Sequence, residues 1–178
     1  VKLNGFVIGD SQQKKKDTVG DIRLIRTTVE KGYRELAKLI HDFNHRKTSL
    51  EKIERNIEKI PKKLQLMTLT SIKNRDLTRE ALQYLQKGKN DPNELGYMIE
   101  KHHKLLRDGF KRSTKKIERM IAAAKDAGAL GCKINGSGKG GTILAYAPGS
   151  EEEVSQAIKE ENGIPYRIKT DLGARVIY

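Results

Sequence analysis

Tryptophan is absent from this 178-residue sequence, and aromatic residues make up 5% of it. A hydrophobic core must therefore be built mainly from Leu, Ile, Val and Ala, and such a composition favours helical packing. Long apolar runs are also lacking, since none approaches the roughly 20 residues that a transmembrane helix needs. We therefore expect no membrane partner.

Cysteine is almost absent as well, because Cys132 is the single one. One cysteine excludes an internal disulfide and fits a reducing compartment, and the neighbours Leu130 and Ile134 predict that its side chain is buried. The N-terminal residues lack the basic leader, long apolar centre and cleavage site of an export signal. We therefore predict a cytoplasmic protein. Because the chain starts with Val in a predicted strand, we also expect that residues upstream have been removed.

The net charge of +13 is distributed unevenly along the chain. Residues 129–178 hold six basic and six acidic residues, so the whole excess lies upstream. Basic clusters of this kind attract nucleic-acid backbones without reading sequence; they are Lys14, Lys15 and Lys16, then Lys111 with Arg112, and Lys115 with Lys116. Acidic residues are interleaved with them, so a solvated surface explains them as well, and nucleic-acid binding is the less favoured alternative.

Apolar spacing predicts a short strand and then a series of helices. The apolar run at residues 6–9 predicts a buried strand that leads into a loop. Apolar residues recur every three or four positions over residues 18–43, which predicts a long helix. Further helices are predicted over residues 49–60, with Ser49 as N-cap and Pro61 as its stop, and over 64–72, 77–86 and 94–106. Ser113 or Thr114 is expected to cap another helix that ends at Gly128.

The helical spacing of apolar residues ends at Gly128, and β-favouring runs follow it. Residues 129–134 and 142–147 predict two strands that form a hairpin around a glycine-rich loop. Ser150, followed by three glutamates, predicts a helix to about Asn162, and strands are predicted over 164–168 and 174–178. The fold class is therefore α+β, an antiparallel sheet with helices packed on one face, with a mainly helical part at about residues 18–127.

The loop between the hairpin strands has the composition of an anion-binding turn. Glycines permit positive φ and let successive backbone N–H groups point into one concavity, where an anionic oxygen can bind. No Gly-Lys-Ser or Gly-Lys-Thr follows, and a strand rather than a helix comes next, so the Walker and Rossmann patterns are excluded. Composition alone leaves a hairpin tip without a ligand equally open.

The segment from Gly128 to Gly141, GALGCKINGSGKGG, resembles the third motif of the galactokinase, homoserine kinase, mevalonate kinase and phosphomevalonate kinase (GHMP) superfamily, G-A-x-G-A-K-x-[ST]-G-[AS]-G-x-G-G. Ser113 and Thr114 with Glu118 are similar to the Ser-Thr-x-x-Leu-Asp helix of that family, and Gly96 with His103 to the helix before it. Residues 6–11 resemble the strand that opens the C-terminal domain. The sequence departs from the pattern at Cys132, Asn135, Glu118 and Lys139.

The resemblance implies a ferredoxin-like C-terminal domain spanning residues 1–178, with a helical insertion. It implies ATP-dependent phosphorylation of a small metabolite, with ATP and Mg²⁺ bound through an N-terminal kinase domain that is not in this chain. The implied cleft residues supply backbone rather than an acid, base or nucleophile, so no catalytic or metal-binding residue is expected here. They are Gly136, Ser137, Gly138, Lys139, Gly140 and Gly141, with Asp10 and Asn135 as further candidates.

The acceptor is less constrained by the motifs. The ending at Pro165 to Ile168, followed by Gly173, Ala174, Arg175 and Val176, is similar to that of galactokinases and heptose kinases, so a sugar is the favoured acceptor. A mevalonate kinase-like enzyme and a regulatory protein that has lost catalysis are the alternatives. The four histidines, His41, His45, His102 and His103, lack an accompanying cysteine or carboxylate set, so structural or surface roles are favoured for them.

Overall fold

The computed structural model describes residues 3–88 and 91–171. The described residues form the strands and helices β1 (Phe6–Asp10), α1 (Thr18–Leu39), α2 (Leu50–Ile57), α3 (Lys62–Gln86), α4 (Pro92–Lys104), α5 (Lys115–Asp126), β2 (Gly131–Asn135), β3 (Thr142–Tyr146), α6 (Glu151–Glu160) and β4 (Ile164–Ile168). A π-helical turn, Leu105–Gly109, extends α4. The strand predicted over residues 174–178 lies outside the described residues.

The four described strands form one antiparallel sheet in the order β2-β3-β1-β4. Val7 pairs with Ala145 of β3 on one side and with Arg167 of β4 on the other. Strand β2 pairs with β3 around the glycine loop, with Cys132 opposite Ala145, so the predicted hairpin is confirmed. This βαββαβ order is the ferredoxin-like arrangement, and the predicted α+β class is confirmed.

One face of the sheet is covered by α5 and α6. Alternate strand residues point into this layer because side chains along a strand alternate between the two faces. The predicted stripe of α5 is buried there against them, and the layer also contains Cys132. Its buried members include Val7, Ile117, Met120, Ile121, Ala124, Cys132, Ile134, Ile143, Val154 and Ile158.

The opposite face meets α4, which lies directly on β2. A Cβ built on Gly96 would lie 2.6 Å from the carbonyl oxygen of Leu130, and one on Gly131 would lie 2.1 Å from that of Gly96. Both distances are too short for a real Cβ, so glycine at each position lets the two backbones touch. Gly96 and Gly131 thus have a packing role, and α4 lies in direct contact with the edge strand β2.

The helical part has a hydrophobic core of its own. Helices α1, α2 and α3 bury Leu36, Ile53, Ile57, Leu64 and Ile72 among other residues. The segments predicted as two helices over residues 64–72 and 77–86 form the single helix α3, so that prediction was wrong. No glycine or proline interrupts residues 73–76, and the long helix packs along both α1 and α4.

The predicted caps are mostly present. Ser49 accepts a hydrogen bond from the amide of Lys52, and Thr114 accepts one from the amide of Ile117, as N-cap side chains do. Ser150 occupies the N-cap position of α6, but its side chain makes no capping bond, and that detail was wrong. The carboxylate of Glu151 accepts a hydrogen bond from the amide of Gly149 at this end instead.

None of the helices in the described part of the chain is both long and apolar enough to cross a membrane.

Candidate functional site

The glycine loop, residues 135–141, joins β2 to β3 at one end of the sheet. Its backbone needs glycine for two reasons. Gly138 and Gly140 have φ of 71° and 117°, and a Cβ on either would lie 2.4 Å or 2.7 Å from the carbonyl oxygen of Arg112 or Gln13, respectively. Lys139, between them, also has a positive φ of 55°. The loop is therefore a compact left-handed turn that packs closely against two other segments.

Arg112 holds the loop from the side of α5. Its Nε donates to the carbonyl oxygen of Ser137 over 2.6 Å, and its own carbonyl accepts from the amide of Lys139 over 2.7 Å. The Arg112 side chain is 5% exposed, and its Nη2 is buried without a hydrogen-bond partner. A buried cation with an unused donor therefore lies directly beside the loop.

Asp21, in the first turn of α1, bridges two cations of this site. Its Oδ2 lies 3.1 Å from Nη1 of Arg112, and its Oδ1 lies 2.6 Å from Nζ of Lys139. The hydrogen bond from Lys139 lowers the pKa of the Asp21 carboxyl, and Arg112 lowers it further. The carboxylate is thus ionised at neutral pH, and it ties the helical part to the tip of the hairpin.

The connection between β1 and α1 lies along the other side of the loop. The amide of Gly141 donates to the carbonyl of Gln13 over 3.1 Å, and the amide of Ser11 donates to the carbonyl of Gly141 over 2.9 Å. Lys15 reaches the loop with its side chain, because its Nζ donates to Oγ of Ser137 over 2.8 Å. Lys15, Lys139 and Arg112 outnumber the acidic residues Asp21 and Asp10 here, so the loop surroundings have an excess of positive charge.

Asp10 and Asn135 lie in one row across the sheet. Each of them pairs with Thr142, from β1 and from β2 respectively, so their side chains share a face at the loop end. Asp10 accepts a hydrogen bond from the amide of Gln12 over 2.9 Å, which closes the turn after the strand. The eight residues named from the sequence therefore lie together at this end, with Asp10 already engaged in a local turn.

The loop has donors to offer an anion. Within the described residues, the amides of Ser137, Gly138 and Gly140 take part in no hydrogen bond. Two ammonium groups lie at the same loop: that of Lys139, a loop residue, and that of Lys15, which donates to Oγ of Ser137. Backbone N–H groups in successive left-handed turns, combined with cations, are suited to bind phosphate oxygens.

A second polar cluster joins α4 to α5 behind this site. The carboxylate of Glu118 accepts a hydrogen bond from Oγ of Ser113, and it lies 3.1 Å from Nε2 of His103 and 3.3 Å from Nη1 of Arg107. Burial lowers the pKa of His103. Because an ionised carboxylate only accepts hydrogen bonds, Nε2 of His103 is the donor in its contact with Glu118. Glu118 therefore retains a carboxylate where the family pattern has Asp, and this carboxylate links α5 to α4 through His103.

The other histidines are dispersed. His45 stacks on the ring of Tyr33 with centroids 5.2 Å apart, and His41 lies 2.7 Å from Asp42 on the surface. Over residues 3–88 and 91–171, His, Cys, Asp and Glu form no group of three that could hold a metal ion.

Sequence reasoning missed Asp21, Arg112 and Lys15 as partners of the loop. Arg112 and Lys15 were noticed only as members of basic clusters, and about 100 residues separate them along the chain. Asp21 had no signal beyond its place in the first turn of a helix. Only the fold, which brings α1 and the start of α5 to the tip of the hairpin, shows that these residues meet.

The fold and this loop define an α+β domain of the kind found in small-molecule kinases. Residues 79–164 match the family model described as GHMP kinases C terminal. The chain is 35% identical over 127 residues, 70% of its length, to the mevalonate kinase of Thermococcus onnurineus, and 46% identical over 72 residues, 40% of its length, to that of Pyrococcus horikoshii. These matches cover 37% and 21% of the respective relatives, so the chain spans well under half their length.

Solved structures show the same fold. A galactokinase from Lactococcus lactis in complex with galactose superimposes with a TM-score of 0.79 at 17% identity, over 93% of this chain and 45% of that one. A mevalonate kinase from L. major in complex with R-mevalonate superimposes with a TM-score of 0.57 at 21% identity, over 91% of this chain and 40% of the other. These structures show the fold alone, and the family model identifies residues 79–164 as the C-terminal domain of a GHMP kinase.

Proposed function

We propose that this chain is the part of an ATP-dependent kinase that closes the active-site cleft over the transferred phosphoryl group and its acceptor. The observation that carries the proposal is the glycine loop with free amides, the two lysines and the buried Arg112 gathered around it. Phosphoryl transfer requires positioning and the neutralisation of charge more than covalent work by the protein. The loop supplies donors of that kind.

The acceptor that we propose is mevalonate or a closely similar hydroxy acid, in preference to a sugar. The sequence alone favoured a galactokinase-like enzyme, but the relatives with 35–46% sequence identity are named mevalonate kinases. The galactokinase likeness, at 17% identity, concerns the fold alone. The tail on which the sugar interpretation depended includes residues 173–176, which lie outside the described part.

In the proposed mechanism the residues of this chain bind and orient. The amides of Ser137, Gly138 and Gly140 donate to phosphate oxygens, and Lys139 and Lys15 offset the negative charge there. Arg112 holds the loop in its left-handed conformation through the Ser137 carbonyl and does not itself reach solvent. No residue of the loop is an acid, a base or a nucleophile, so proton removal from the acceptor is assigned to the N-terminal domain.

The loop fits ATP phosphates, because the amides of Ser137, Gly138 and Gly140 are unpaired donors and the ammonium groups of Lys15 and Lys139 lie beside them. Mg²⁺, when bound with ATP, would supply positive charge that offsets the charge of the phosphates. The described residues form no carboxylate cluster that could hold it, so we assign its protein ligands to the N-terminal domain.

An ADP-release assay tests this proposal on the longer protein, in which the proposed N-terminal kinase domain precedes this chain. The acceptors are mevalonate, galactose, a heptose 7-phosphate and homoserine, and this chain alone serves as the control. We expect release that depends on mevalonate with the longer protein and none with the chain alone. ADP release with galactose and not with mevalonate would show that the acceptor is a sugar. No ADP release with any of the four acceptors would favour a protein that has lost catalysis.

A nucleic-acid-binding role has little support from the geometry. Of the basic clusters, Lys15 bonds Ser137, Arg112 is buried, and Nζ of Lys116 donates to the carbonyl of Asn162 over 2.9 Å. Each of these three cations is therefore engaged by a partner within the chain.

A further inference from the structure

A groove of about 340 Å³ lies between α3 and α4, on the face of the sheet away from α5 and α6. It is separate from the glycine loop. Its lining comes from one stripe of each helix and from a single strand residue, Lys133 of β2. Leu82, on its outer wall, is 54% exposed, so the groove is open to solvent.

The groove has a polar end and an apolar end. Helices α3 and α4 run antiparallel, as shown by the ion pair of Glu80 with Lys101 and by the hydrogen bond of the Tyr84 hydroxyl to the carbonyl of Asp91. Residues late in α3 therefore face residues early in α4. The apolar end is formed by Leu82, Leu85 and Leu95, and the polar end by Asn74, His102 and Lys133.

Lys133 is the one cation in the lining of this groove. It makes no hydrogen bond or ion pair with any of the described residues, and its side chain is partly withdrawn from water between the helices and the sheet. Burial alone lowers its pKa, with no carboxylate near enough to oppose that effect. A cation in apolar surroundings without a counter-charge is costly, and such cations are ordinarily paired.

His102 lies beside Lys133 at the polar end and supplies no negative charge. His102 is also half-buried at this end, and burial together with the adjacent Lys133 lowers its pKa to about 4. At neutral pH the ring is therefore uncharged and can exchange hydrogen bonds with a polar group. The polar end thus offers one ammonium, one neutral imidazole and one amide.

We propose that this groove binds a free single-chain amphiphile with an anionic head, a carboxylate or a monophosphate. The head pairs with Lys133 and bonds His102, and the apolar chain lies along Leu82, Leu85 and Leu95. From Asn74 to Leu85 the groove follows α3 for roughly 16 Å, given a rise of about 1.5 Å per residue. The proposal is independent of the kinase function, because the groove shares no residue with the glycine loop.

A small ligand accounts for the groove better than a protein surface does. A flat interface would require a carboxylate inserted to the depth of Lys133, whereas a slender chain with a terminal anion reaches it along the apolar wall. The volume lies at the lower end of the range for small-molecule pockets.

Calorimetric titration of this chain with octanoate and with octanol at pH 7 tests the proposal. Octanol has the same apolar chain without the charge. Octanoate is expected to bind to the wild type. Lys133→Met is expected to lower the affinity for octanoate at least tenfold, because a charge-assisted hydrogen bond is lost. Octanol should bind more weakly than octanoate to the wild type, with an affinity that Lys133→Met does not reduce. Lys63→Met, an exposed lysine on the same helix α3, should change neither affinity.

A second variant keeps the test valid if Lys133→Met unfolds. Ala81→Phe places a ring in the middle of the groove and is expected to weaken octanoate and octanol alike. Equal octanoate binding by the wild type and by a folded Lys133→Met protein would overturn the proposal, as would equal affinity of the wild type for octanoate and octanol. A wild-type dimer that Ala81→Phe converts to a monomer would also overturn it, because the groove would then be an interface between two copies.

Discussion

Nε of Arg112 donates to the carbonyl oxygen of Ser137 over 2.6 Å, which joins the turn before α5 to the tip of the β2-β3 hairpin. The same guanidinium reaches Asp21 of α1 through Nη1. One buried side chain therefore fixes the position of the glycine loop relative to both the turn before α5 and the helix α1. The loop is consequently held in shape by residues that are distant in the sequence.

Replacing Arg112 by Met should destabilise the chain by about 2–3 kcal/mol, because the Ser137 carbonyl and the Asp21 carboxylate lose a buried charged donor. Urea denaturation measures the change. Arg112→Lys keeps the charge without the planar fork, and it should fall between the wild type and Arg112→Met. A loss below about 0.5 kcal/mol in Arg112→Met would show that the loop does not depend on this contact.

Lys139 provides a test of the left-handed turn. The φ of Lys139 is 55°, a conformation that glycine adopts more readily than alanine does. The exposed ion pair of Lys139 with Asp21 contributes little to the free energy of unfolding. Lys139→Gly should therefore be at least about 1 kcal/mol more stable than Lys139→Ala. Equal urea midpoints of the two variants would contradict the described conformation of the loop.

Stability should fall as the pH drops from about 6.5 to about 4. Burial lowers the pKa of His102 in the folded state from 6.5 to about 4, so in this window the unfolded chain binds a proton that the folded chain does not. Proton binding by the unfolded state favours unfolding, and the loss due to His102 should amount to up to about 2 kcal/mol. Thermal unfolding at a series of pH values measures it.

His102→Asn is the matched variant for this pH dependence. It removes the titrating ring, so it should lose less stability across the same window. His103, whose pKa burial also lowers, keeps its own contribution in both proteins. Identical pH profiles for the wild type and His102→Asn would show that His102 titrates normally in the folded state.

Gly96 tests the direct contact of α4 with β2. A methyl group there would lie 2.6 Å from the Leu130 carbonyl, so Gly96→Ala should cost about 2 kcal/mol or more through displacement of the helix. Gly88→Ala is the comparison, because open space surrounds Gly88 and only its φ of 66° opposes a side chain. The free energy of unfolding of Gly88→Ala should be about 1 kcal/mol lower than that of the wild type, as urea denaturation measures. A smaller loss in Gly96→Ala than in Gly88→Ala would contradict the close packing.

The sequence predicted those features that local pattern controls. The stripe of Ile117, Met120 and Ile121 gave helix α5 because apolar spacing of three and four residues marks a buried helical face. The hairpin around the glycine loop followed from two β-favouring runs separated by glycines. Within the described residues, the predicted helix and strand types agree with the structure, while boundaries differ by a few residues and α3 is one helix instead of two.

The partners of the site could not be predicted in the same way. Arg112, Asp21 and Lys15 meet at the loop only because the sheet order brings β1 beside β3 and places the start of α1 near the hairpin tip. No spacing rule connects residues about 100 positions apart. The same applies to Lys133, whose position in a known motif gave no sign of the apolar groove that surrounds it.

The glycine loop is proposed to line the cleft of a kinase and to supply positive charge to the phosphates. Steady-state kinetics of mevalonate-dependent ADP release by the longer protein test this role, with Lys139→Gly and Lys139→Arg measured beside the wild type. We expect kcat/KM to fall roughly tenfold in Lys139→Gly, since a charge-assisted contact is lost, and to be largely retained in Lys139→Arg. Equal kcat/KM in all three proteins, or no release that depends on an acceptor, would contradict it.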